Sequence, residues 1–152
     1  MSSMLRSTSR AAGRTVAVLL GGWLLLGEAG AATPSVQAAY MLGCQGCHLE
    51  DGRGFPQRGV PALNEFVGNF LKVPGGREYL VQVPGAAQSE LSDERLAEVL
   101  NWMLRTFSPA QLPADFRPYT APEVGGLRKS PLVEVAPVRA ELLQRLETVV
   151  RP

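Results

Sequence analysis

The stretch Met41–Gly54 reads MLGCQGCHLEDGRG. It holds Cys44 and Cys47, the only two cysteines of the chain, and His48, its only histidine. Several ordinary uses of such a run fit poorly. A disulfide between thiols this close in sequence closes too short a loop to add much stability, and it leaves His48 unexplained. A structural zinc site needs four ligands, and two thiols with one imidazole fall short. A thioredoxin-like C-x-x-C needs a strand–helix–strand setting, which this chain lacks.

The pattern C-x-x-C-H is the attachment signature of c-type haem. Two thiols at this spacing reach the two vinyl groups on one edge of a porphyrin. The histidine that comes next lies under the iron and offers Nε2 as the proximal axial ligand. Gly46 lets the backbone come close to the ring. The reading is one covalent haem c held by Cys44 and Cys47, with His48 as the metal ligand.

The rest of the chain suits that chemistry. A length of 152 residues allows one domain with a modest core. The net charge of +1 lacks the excess of basic residues expected of a nucleic-acid binder. Arg6, Arg10 and Arg14 precede an apolar run from Val16 to Leu26, and Ala29-Gly30-Ala31 offers a small-x-small cleavage site. This predicts a signal peptide over 1–31, cleaved near Ala31, and a periplasmic mature chain. The apolar run is short for a spanning helix, which needs roughly 20 residues. An uncleaved N-terminal anchor is the alternative, and it leaves the later residues on the same side of the membrane. There is no twin-arginine pair.

Helical patterning dominates the mature part. TPSVQAAYMLG, residues 33–43, predicts a helix capped by Thr33 with Pro34 at its first position. A Gly- and Pro-rich loop runs from Glu50 to Leu63. Asn64–Leu71 and Gly76–Val81 predict short helical pieces, and Val83–Ser89 an irregular one. SDERLAEVLNWMLRTF, residues 92–107, is the clearest element. Ser92 caps it, Asp93 and Glu94 suit the helix dipole, and Leu96, Val99, Leu100, Met103, Leu104 and Phe107 form its apolar stripe. Pro109 stops it. Beyond lie a Pro-punctuated segment, a short helix over Thr120–Arg128 and an amphipathic helix over Pro137–Val150.

From about Pro34 to Phe107 the chain resembles the class I c-type cytochromes. These have an N-terminal helix ending in C-x-x-C-H, a Gly/Pro loop, small middle helices and a last helix that crosses the first. Tyr40 and Trp102 stand where that family places an aromatic contact between the two. By the same resemblance, the Pro61 carbonyl of GVPAL accepts a hydrogen bond from His48 Nδ1–H, and Leu63 packs against the proximal haem face. The resemblance implies an all-α, cytochrome c-like helical domain over 32–107 around one covalently bound haem. A Pro-rich C-terminal extension over 108–152 has no counterpart in the simplest members.

One segment departs from the family pattern. Electron-carrying members commonly place Met-Pro before the last helix, the methionine being the sixth iron ligand. Val83-Pro84 stands there in this chain. Met41 is tied to the attachment edge, and Met103 at helical spacing reads first as core packing, so Met103 is only a candidate sixth ligand. Gln82, Lys72 and Tyr79 also carry donor atoms. The function expected is one-electron transfer between periplasmic redox partners such as a dehydrogenase, an oxidase or another cytochrome. No enzyme activity is expected, and no small-molecule substrate is assigned. Alternatives are a haem-based binder or sensor of NO, CO or O2 with an open sixth position, and a non-catalytic haem subunit of a larger dehydrogenase complex.

Overall fold

The computed structural model describes residues 34–150. The predicted signal peptide and the predicted cap Thr33 lie outside the described residues. Within them the fold is helical, and the only β-type pairing is an isolated bridge between Phe55 and Val60 in the loop after His48.

Helix α1 (Val36–Gly43) runs almost directly into the single turn α2 (Gln45–His48). The cap of α1 is Ser35, whose hydroxyl accepts from the Ala38 amide at 3.1 Å, so Pro34 sits outside the helix and not at its first position. The Asn64–Leu71 region forms a 3₁₀ segment, Val67–Lys72, and then comes α3 (Gly76–Gln82). Val83–Ser89, expected to be irregular, contains one helical turn, α4 (Pro84–Ala87). Pro84 occupies its first position, where a missing amide hydrogen costs nothing.

Helix α5 (Asp93–Phe107) matches its sequence pattern closely. The Ser92 hydroxyl accepts from the Arg95 amide at 3.2 Å, and all six stripe residues are buried. Trp102 stands at the stripe's edge. It meets Tyr40 of α1 with ring centroids 5.2 Å apart and a tilt of 48°. Tyr40 also meets Phe107 at 5.2 Å. Tilted aromatic pairs at this separation add about 0.5–1.5 kcal/mol each beyond their buried area, so the α1–α5 crossing is a strong point of the fold.

The tail packs back on the same core. Tyr119, Val124, Leu142 and Leu146 are buried in one cluster with Tyr40, Leu80, Val99 and Leu104. Val124 lies on α6 (Ala121–Leu127), and the two leucines on α7 (Val135–Val150). Thr120 caps α6 by position, without a side-chain hydrogen bond. Polar straps complete the attachment. The Asn101 side chain pairs with both backbone groups of Tyr119, at 2.7 and 2.9 Å. Arg77 of α3 donates to both carboxylate oxygens of Glu123 and lies over the Tyr119 ring, 4.0 Å from its centroid. The Arg77 guanidinium holds the Glu123 carboxyl below the usual carboxylate range.

Candidate functional site

The turn α2 brings Cys44, Cys47 and His48 together at the C-terminal end of α1. Cys44 and Cys47 form no disulfide; Cys47 is exposed and Cys44 partly buried. Burial pushes the Cys44 thiol above its ordinary pKa, and the neighbouring Cys47 adds to the rise. A Cβ built on Gly43 or Gly46 would meet nothing within 4 Å. The backbone on either side of Cys44 therefore faces open space.

His48 is held by the loop on its C-terminal side. Its Nδ1 lies 3.3 Å from the Pro61 carbonyl oxygen. A carbonyl only accepts, so this contact places the ring proton on Nδ1 and leaves Nε2 as a free lone pair. Burial lowers the His48 pKa, with the Pro61 hydrogen bond opposing it. A neutral imidazole is the form that binds metal.

Bringing Pro61 under His48 requires a sharp reversal of the chain. Leu49 makes it with φ 64° and ψ 169°, a conformation that residues with a side chain rarely adopt. The Tyr40 hydroxyl holds it there, donating to the Leu49 carbonyl at 2.7 Å. Burial, with nearby Cys44 and Asp51, pushes the Tyr40 pKa up to about 12, so the phenol stays a donor at any physiological pH. The Gly54 amide then donates to the His48 carbonyl at 3.0 Å, and the Leu63 amide to the Gly52 carbonyl at 2.7 Å. Leu63 is buried, at 8% exposure.

The other candidates are scattered. Met103 is buried in the core on α5, Met41 is half exposed on α1, and Lys72 donates to Asn69 at the surface. Two contributors escape a reading of the sequence, Leu49 and Gly54. The G-x-G of Gly52 and Gly54 is a visible signal for positive φ; nothing in the sequence marks Leu49.

The chain matches no protein-family model. It is 33% identical over 135 residues to a cytochrome c-552 of Thermus thermophilus, covering 77% of this chain and 86% of that protein. A second cytochrome c-552 of Thermus thermophilus is 34% identical over 107 residues, covering 59% of this chain and 81% of its own. The chain belongs to the c-type cytochromes. It is an electron-transfer haem protein, and its cofactor is covalently bound haem c.

The residues present fit that cofactor. The cytochrome has two cysteines at attachment spacing that form no disulfide, an imidazole with Nε2 unengaged among the described residues, and open space at Gly43 and Gly46 for close approach of a planar ring. No helix among the described residues is long and apolar enough to cross a membrane.

The loop that orients His48 gives a direct test. Gly54 has φ +62°, and a Cβ there would lie 2.6 Å from the Pro61 carbonyl oxygen and 2.7 Å from that of Val60. Gly54→Ala of the cytochrome is expected to lose about 1–3 kcal/mol of stability and to displace the carbonyl that holds His48. Thermal unfolding and the NMR shifts of the His48 ring read the two effects. A variant with both unchanged contradicts this role of the loop.

Proposed function

We propose that this cytochrome carries single electrons between redox proteins outside the cytoplasmic membrane. Cys44 and Cys47 would hold the haem through thioether bonds, and His48 would ligate its iron. The observation that carries the reading is the His48 ring, whose Nδ1 lies against the Pro61 carbonyl and so keeps Nε2 as the lone-pair nitrogen, in the residue that follows Cys47. The haem supplies a reversible one-electron iron couple. The chain supplies the rest. Pro61 fixes the tautomer and raises the basicity of the imidazole. Leu63, buried in the same loop, would pack against the haem on the His48 side, and the α1–α5 crossing holds the helix that carries the turn.

Export is supported by the basic, apolar and small-residue pattern of residues 1–31. The haem domain proper is 32–107 and the extension 108–152. Partners are a dehydrogenase, an oxidase or another cytochrome. Leu42 and Met41, at 84% and 50% exposure, offer them an apolar contact next to Cys44. The near-balanced charge provides no strong steering field.

One observation favours a second reading. The connector from Val83 to Ser92 contains no Met, His, Cys or Lys, so it offers none of the common iron ligands. An optical spectrum of the purified oxidised protein separates the cases. The carrier reading expects a low-spin, six-coordinate spectrum, with a weak near-infrared sulfur–iron band if Met103 or Met41 ligates. A high-spin spectrum with rapid carbon monoxide binding on reduction overturns it in favour of small-ligand binding.

A further inference from the structure

Arg128 closes α6, in the tail, yet its guanidinium reaches the connector between α3 and α5. Nε donates to the Ala87 carbonyl at 3.0 Å. Nη1 donates to the Leu91 carbonyl at 2.7 Å and to Asp93 Oδ1 at 3.1 Å. Nη2 donates to the Ser89 carbonyl at 2.5 Å, with Ser89 Oγ at 3.4 Å. The side chain is only 16% exposed. One planar cation thus binds three carbonyls of a stretch lying mostly outside regular helix.

That stretch is a wall. Gln88, Ser89 and Leu91 line an open groove of about 830 Å³, which Leu42 and Gly43 at the end of α1 also line. Gly43 immediately precedes Cys44. The groove therefore opens beside the attachment turn. The wall also belongs to the connector that contains no Met, His, Cys or Lys.

We propose that Arg128 is a positioning residue for the haem. It holds Gln88–Leu91 as a rigid wall of the groove that reaches Gly43, the residue before Cys44, and through that wall it sets the redox potential and the entry of small ligands. The proposal rests on the reading that Cys44 and Cys47 hold the haem. Arginine is required because its fork presents several donors in one plane. A lysine at this position has one ammonium centre and cannot span the Ala87, Ser89 and Leu91 carbonyls together.

The test compares the holoprotein with Arg128→Lys and Arg128→Gln at equal haem content, set by a pyridine haemochrome assay. Amide exchange over residues 86–91 is expected to quicken by about tenfold or more in Arg128→Gln, the order expected for lost charge-assisted hydrogen bonds. The midpoint potential is expected to shift, and the carbon monoxide association rate of the reduced protein to rise. Arg128→Lys is expected to fall between wild type and Arg128→Gln, and it carries the test if the glutamine variant does not fold. Faster exchange with unchanged potential and unchanged association rate makes Arg128 merely structural and overturns the proposal. Unchanged exchange overturns it too. A wild-type protein without covalent haem overturns the attachment reading and this proposal with it, whereas equal haem content with indifferent variants removes the proposal alone.

Discussion

Replacing Cys44 and Cys47 together by alanine leaves a protein with no covalent haem. After denaturing electrophoresis it shows no haem stain, and its pyridine haemochrome band is absent. The effect is complete because the chain has no third cysteine to substitute. Single replacements leave one thioether and lower the yield of attached haem. His48→Ala keeps both thiols but removes the only imidazole. Its haem, where attached, is expected to lose the proximal nitrogen and show a changed ligand-field spectrum. The two phenotypes are expected to differ, since the proposed function gives the cysteines covalent bonds to the haem and the histidine a coordinate bond. A normal stain in the double cysteine variant, or a normal spectrum in His48→Ala, contradicts the assignment.

The largest stability effect outside the site is expected at Leu104. Its side chain is fully buried, at 0% exposure, among residues from α1, α3, α5 and the tail. Truncation to alanine removes the buried methyl groups and leaves a cavity that the surrounding helices close only in part, costing about 2–5 kcal/mol. A domain has only about 5–15 kcal/mol in hand. The melting temperature is expected to fall by roughly 10 °C. Haem content after expression at low temperature should survive, because Leu104 lies outside the C-x-x-C-H turn. A shift of a degree or two would mean that the crossing repacks around the loss.

The site is legible in the sequence where chemistry forces residue identity. Two thiols and one imidazole at fixed spacing have few uses, so Cys44, Cys47 and His48 stand out from their spacing alone. Helix α5 is legible because fifteen residues give the apolar stripe room to repeat. Helix α4 is not, since four residues are too few for any period to show. The start of α1 differs from expectation because Thr33 and Ser35 are both good caps, and only the geometry shows Ser35 accepting from Ala38. The Leu49 reversal carries no sequence mark, because a leucine there is a strained solution held by a tyrosine nine positions earlier. The straps from Arg77 and Arg128 join residues some 35 to 46 positions apart. Nothing local in the sequence announces such pairs. The amphipathic pattern of α7 shows that one face is covered, without saying by what.

The tail's place in the core also orders events in time. Leu142 and Leu146 reach the cluster that contains Tyr40 and Leu104. A chain emerging from its N-terminus therefore cannot close its interior until nearly all of it has appeared. The attachment turn lies in the first third of the chain. Between those two moments both cysteines stand on an unfinished polypeptide, so the proposed attachment of haem can precede the closing of the interior by the tail.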